Sequence, residues 1–157
     1  MLSSSLSYII LRSFPECILT LIASYILLDL DLKLEEVIKK SIFFVIIVLF
    51  IRMLPISFGI HTILSLFVLG IILHKFKKQN IIHTIVAISK TFVCLAISEA
   101  IYMSLVTGIF KIPLEILADN TNIRSAILTL PSLLVFMLLV ILLKKIELKF
   151  QNKKQLI

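Results

Sequence analysis

A chain of 157 residues with 60% hydrophobic side chains, three Gly and no Trp has a mean hydropathy of +1.14. That is more apolar surface than a water-soluble domain of this length can hide, so an ordinary soluble fold is excluded. The net charge of +7 would suit a polyanion. The lysines, however, sit in short segments between apolar runs, as charges flanking membrane spans do, and no aromatic-interleaved basic groove appears. Nucleic-acid binding is therefore not expected. The expected fold class is all-α: a polytopic integral membrane helix bundle in contact with the lipid bilayer.

A helix needs about 20 mainly apolar residues to cross ~30 Å of hydrocarbon, and five stretches are candidates. The first covers 14–30, with an extension back to residue 6 left open; as an interfacial helix, residues 1–13 would make six helices. Pro15 suits the first turn of this helix or kinks it. Arg12 and Glu16, four apart on one face, are spaced to pair within their own helix. "LDLDLKLEEVIKK" reads as a short charged turn into the second span, 37–54, and the third span covers 57–74. Between them, in "RMLPISFGIHT", Pro55 stops one helix and Gly59 permits close approach as the next begins. Turn chemistry leaves Arg52 and His61 unexplained.

The fourth span, 81–106, carries His83, Lys90 and Glu99. Nine residues, about 900° of rotation, put Lys90 and Glu99 on opposite faces, so each needs a partner outside its own helix. Lys90 is expected to snorkel to the nearer surface. In "TGIFKIPLEILADNTNIRS", residues 112–118 suit a short amphipathic surface helix. The fifth span covers 126–143, with Pro131 near its start. Residues 1–145 then form a single helix-bundle domain and 146–157 a short basic tail. Cys17 and Cys94, inside apolar runs, read as buried reduced thiols. No basic residue precedes the first apolar stretch, so no cleavable signal peptide is expected.

Lys33, Lys39, Lys40, Lys75, Lys77, Lys78, Lys144, Lys145, Lys149, Lys153 and Lys154 fall on one side of such a bundle. Arg12, Arg52, Lys111 and Arg124 fall on the other, with Lys90 inside a span. Eleven against four places the lysine-rich side in the cytoplasm, with the N-terminus out and the C-terminus in. The outer ends of the spans then collect Arg12, Glu16, Arg52, His61, Thr62, Glu99, Tyr102 and Thr129. Charges in a membrane segment are costly and mark pairing or function. A polar outer pocket is therefore expected, in which Glu16 and Glu99 face Arg52 or a cationic ligand group, opposed by the plainer reading of closed interhelical salt bridges. Arg12, Glu16, Arg52, His61, Glu99 and Tyr102 are its candidate ligand-binding residues; Pro15, Pro55, Gly59 and Pro131 are its turns and kinks. No Asp pair, metal-spaced His/Glu set or Gly-rich phosphate loop appears. Cys94 and His83 lie three turns apart. No catalytic residue, metal or cofactor is expected, and the chain does not read as an enzyme.

The stretches "SFPECILTLIASYILL", "IRMLPISFGIHTILSLFVLGIIL", "AISEAIYMSLVTGI" and "LPSLLVFMLLVILL" occur in this order over residues 13–145. In this they resemble the N-terminal membrane region of Firmicutes sensor histidine kinases of the accessory-gene-regulator and sporulation type. The resemblance centres on Pro15–Glu16 and on Leu-Pro-x-x-Phe-Gly-Ile-His-Thr around Pro55, Gly59 and His61, with Glu99 also matching. It implies a bacterial plasma-membrane sensor bundle that binds an extracellular peptide or small molecule. In the family a dimerisation helix and a GHKL-type ATPase domain follow. The stretch after Lys145 is too short for these, so kinase activity is not implied. A stand-alone bundle would bind a ligand, pair with a histidine kinase or other membrane protein, or form homo-oligomers. A small transporter or transporter subunit is the first alternative, and a peptide-processing membrane enzyme the second.

Overall fold

Pro15 decides how the first helix begins. It has no N–H to donate to the preceding turn, and in a straight α-helix its ring would press on the carbonyl of Leu11. The chain places a wider π-helical turn, Ile9–Ser13, ahead of α1 (Phe14–Leu27), the kind of local widening that accommodates such an intrusion. The computed structural model describes residues 8–31, 34–54, 58–77, 80–119 and 122–154. Pro55 lies outside them. Arg52, Gly59 and His61 lie within helices, but the side chains of Arg52 and His61 are outside the described set.

After α1, Asp29 takes a left-handed backbone (φ 54°) and turns the chain, the role usually given to glycine just past a helix end. α2 (Leu34–Met53) and α3 (Phe58–Lys77) follow as neighbours. α4 (Ile81–Ile109) is capped by Asn80, whose side-chain oxygen accepts from the Ile82 N–H at 3.1 Å. Lys111 supplies a second left-handed turn (φ 52°) before α5 (Leu114–Ala118), within the stretch expected to form a surface helix. α6 (Ile123–Thr129) is capped by Asn122 and leads into α7 (Pro131–Lys154).

Leu130, between α6 and α7, stays helical (φ −52°, ψ −42°), so the two form one proline-interrupted rod. The Leu130 N–H donates to the Ile127 carbonyl at 3.3 Å, an acceptor that Pro131 cannot serve. The Thr129 hydroxyl donates to Ser125 O and the Ser132 hydroxyl to Thr129 O, both at 2.8 Å. In lipid an unpaired carbonyl costs several kcal/mol, which is why kinked membrane helices recruit hydroxyls this way.

Among the described residues there is no strand. Three helical runs are long and apolar enough to cross a membrane: Ile10–Leu27, Ile81–Ile109 and Ile123–Gln151. The stretches expected as second and third spans are helices of 20 residues each. α2, however, spends its first turns on Glu35, Glu36, Lys39 and Lys40, and the described apolar stretch of α3 is Ile63–Lys75. The helix α7 continues through most of the stretch read as a basic tail, to Lys154. Nothing in "KKIELKFQNKK" breaks a helix, and Lys, Glu, Leu and Gln favour one.

α1 sits at the centre. On one side Leu21 and Tyr25 pack with Phe44, Val48, Leu69 and Ile72 of α2 and α3. On the other, Ala23 and Leu27 pack with Ala87 and Cys94 of α4 and Phe136 and Val140 of α7. Five of the buried positions of α4 (Thr84, Ala87, Thr91, Cys94, Ser98) recur three and four apart along one stripe. They are all small, which lets α1 and α4 approach closely. Ser24 Oγ lies 3.3 Å from Thr91 Oγ1 across that seam. The outer faces are the reverse of a soluble protein's: Phe50, Phe67, Ile82, Ile109, Leu134 and Leu138 are all more than half exposed. Water would penalise such a surface and lipid would not, so the long apolar helices fit a membrane protein.

Candidate functional site

Arg12 ends the π-helical turn and is only 3% exposed, so its charge must be met inside the protein. Its Nη2 donates to Glu99 Oε1 of α4 at 2.7 Å, and its Nε lies 3.9 Å from Glu16 Oε2. The interhelical contact is the hydrogen bond; the i,i+4 pair foreseen from spacing is the looser one. Arg12 Nη1 is buried and has no hydrogen-bond partner among the described residues. Beside this cluster the Tyr102 hydroxyl donates to the Leu128 carbonyl of α6, just before the Pro131 interruption.

Four of the six expected ligand-binding residues, Arg12, Glu16, Glu99 and Tyr102, thus fall at one end of α1 and α4. Arg52 and His61, as side chains, lie outside the described residues. Arg12 stands between the carboxylates of Glu16 and Glu99, and the expectation that Arg52 faces them falls on a side chain outside the described residues. Two grooves among the described residues are apolar. One is lined by Pro15, Leu19, Leu130, Pro131, Leu133 and Leu134, and the other lies between α2 and α3.

The opposite end of the bundle has its own ion pairs. Lys90 does not simply snorkel, since its ammonium contacts Glu147 of α7. Lys144 Nζ reaches Asp29 Oδ2 at 2.5 Å, and Lys40 Nζ donates to the buried Tyr25 hydroxyl at 3.0 Å and to Glu36 Oε2 at 3.2 Å. Sequence reasoning missed Glu147 and Asp29 because it assigned them to a tail and a turn. The signal for Glu147 was present: apolar residues continue past Lys145 at Ile146, Leu148 and Phe150. Cys17 and Cys94 are both buried, and neither is in a disulfide. His83 is exposed. No cluster of three or more His, Cys, Asp or Glu suited to a metal ion occurs among the described residues.

The class these features define is an all-helical bundle with membrane-compatible helices and a buried Arg–carboxylate cluster at one end. Compared with known protein families, with characterised proteins and with solved structures, the chain matches none.

Proposed function

We propose that the chain is a five-span bacterial plasma-membrane protein, N-terminus out and C-terminus in, that works as a non-enzymatic sensor or regulatory module. The observation that carries this reading is Arg12 Nη1, a charged donor with no acceptor among the described residues, on a side chain only 3% exposed. Buried donors are almost always paired, and an unpaired one marks a place for a further group. With Glu16 and Glu99 already beside Arg12, what Nη1 lacks among the described residues is an oxygen acceptor. The proposed ligand is therefore a secreted peptide or small molecule that offers a carboxylate or carbonyl at the outer ends of α1 and α4. The resemblance to accessory-gene-regulator-type sensor regions agrees with this, and makes a full-length histidine kinase or a second copy of the chain the natural partner.

The test titrates size-fractionated secreted peptides against the detergent-solubilised chain and reads thermal unfolding, since a ligand that binds only the folded state raises Tm. A fraction that raises the Tm of the wild-type chain, but not of a folded Arg12→Gln variant, and that loses its effect when its carboxylates are amidated, supports the reading. Failure of every fraction overturns it.

One observation favours transport as a second reading. Pro15, just after the π-helical turn, and the Pro131 interruption lie within the candidate spans Ile10–Leu27 and Ile123–Gln151 and line one groove. Interrupted helices at a shared site are a feature of secondary transporters. Counterflow of a labelled solute in proteoliposomes would establish that reading in place of the sensor.

A further inference from the structure

The groove between α2 and α3, of about 230 Å³, is lined by Phe43, Ile47, Val68, Ile71 and Ile72, with Lys75 at one end. Lys39 stands one turn before Phe43 on the same face of α2, so 39, 43 and 47 form a single ridge. α2 and α3 are consecutive, and a short connection makes them run in opposite directions. Lys39, near the start of α2, and Lys75, near the end of α3, therefore flank the same mouth of the groove.

Their chemistry differs from that of their neighbours. Lys40, Lys90 and Lys144 each have a carboxylate partner. Lys39 and Lys75 are exposed and have none among the described residues. An apolar channel of acyl-chain character that opens between two unneutralised ammonium groups is complementary to one molecule type, a phospholipid with a net negative headgroup. Basic pockets between membrane helices on the lysine-rich side recognise such headgroups, and each lysine near the surface contributes favourably. We infer that this groove holds an anionic phospholipid, one acyl chain along Phe43, Ile47, Val68 and Ile71 and its phosphate between Lys39 and Lys75. The inference rests on the reading of α2 and α3 as membrane spans.

The experiment is native mass spectrometry of the full chain in detergent, titrated with phosphatidylglycerol or phosphatidylcholine of identical chains. Phosphatidylglycerol is expected to be retained over phosphatidylcholine. Lys39→Gln with Lys75→Gln should weaken that retention by roughly fivefold per lysine. Lys145→Gln with Lys149→Gln, the same loss of charge on exposed lysines of α7, should leave it unchanged. Ile71→Trp, which fills the groove, should abolish it while the protein stays folded by circular dichroism. Equal retention of the two lipids, or equal loss in both lysine pairs, overturns the site. A single cysteine at Phe67, which is 69% exposed on α3, separates the two claims in a Cys17→Ser, Cys94→Ser background. Labelling by a membrane-impermeant maleimide given access to both faces of opened membranes removes the span and the lipid site together. Protection from the label without phosphatidylglycerol preference removes the lipid site alone.

Discussion

At Arg12 the balance of effects is set by burial. Removing one member of a buried ion pair leaves the other charge uncompensated and costs ~3–5 kcal/mol, whereas exposed pairs contribute at most ~1 kcal/mol. Arg12 is 3% exposed and Glu99 43%, so the two partners should not be equivalent. Arg12→Met takes the guanidinium away from Glu16 and Glu99 at once and should cost roughly 2–4 kcal/mol. Glu99→Gln keeps the Glu16 contact, leaves an amide oxygen as acceptor, and should cost about 1 kcal/mol. Denaturant titration of both single variants and the double variant in micelles measures this. A coupling of about 1–2 kcal/mol is expected for side chains in direct contact, and strict additivity would show that the 2.7 Å contact is energetically idle. Much of this site was legible in the sequence: an arginine and two glutamates in apolar runs can only be there with partners. Which partners was not legible, because a distance of 87 residues between Arg12 and Glu99 leaves no trace in local spacing.

Among the elements, α1 and α4 depend on small side chains for their close approach. The Ser24–Thr91 contact crosses the seam, but both hydroxyls also serve carbonyls one turn back, at 2.8 Å (Ser24 to Thr20 O) and 2.9 Å (Thr91 to Ala87 O). Ser24→Ala should therefore lose only about 0.6 kcal/mol, the usual value for a hydrogen bond between membrane helices. Ala87→Leu forces four heavy atoms' worth of side chain where one carbon fits, and overpacking of this kind costs ~1–3 kcal/mol. Thermal unfolding in detergent should rank Ala87→Leu well below Ser24→Ala; the reverse order would mean that hydroxyls rather than shape hold the seam. Helix positions were readable here because continuous apolarity has one regular outcome in an open chain. The helix ends were less so. Pro15 and Pro131 are visible in sequence, yet their consequences differ, a π-helical turn in one case and a hydroxyl-patched interruption in the other, and neighbouring residues decide which. The continuation of α7 through Glu147 was obscured by its lysines, which resemble a membrane-flanking tail in composition although they are good helix formers.

For the whole molecule, the tertiary pairs sort the chain into two ends. Arg12–Glu99 and Tyr102–Leu128 join α1, α4 and α6 at one end. Asp29–Lys144, Tyr25–Lys40 and Lys90–Glu147 join α1, α2, α4 and α7 toward the other. Lys40 and Lys144, from two of the lysine-rich segments, thus fall toward the same end, which agrees with the charge bias. α2 is where the topology is most exposed to test. Between Lys40 and Arg52 lie eleven residues, about 16 Å of helix at 1.5 Å each, against ~30 Å of hydrocarbon. A span that short holds only if Lys39 and Lys40 extend their stems toward the surface and Tyr25 anchors one of them, as its contact with Lys40 does. The alternative is a hairpin of α2 and α3 that never leaves the cytoplasmic face. The N- and C-termini would then still lie on opposite sides, so their accessibility cannot decide between three spans and five. Leu54, 50% exposed at the end of α2, can. In a Cys17→Ser, Cys94→Ser background, Leu54→Cys should react with an impermeant maleimide added outside intact cells, and Lys145→Cys only after permeabilisation. If Leu54→Cys instead needs permeabilisation, α2 and α3 are not spans, and the bundle crosses the membrane only through its three long apolar helices.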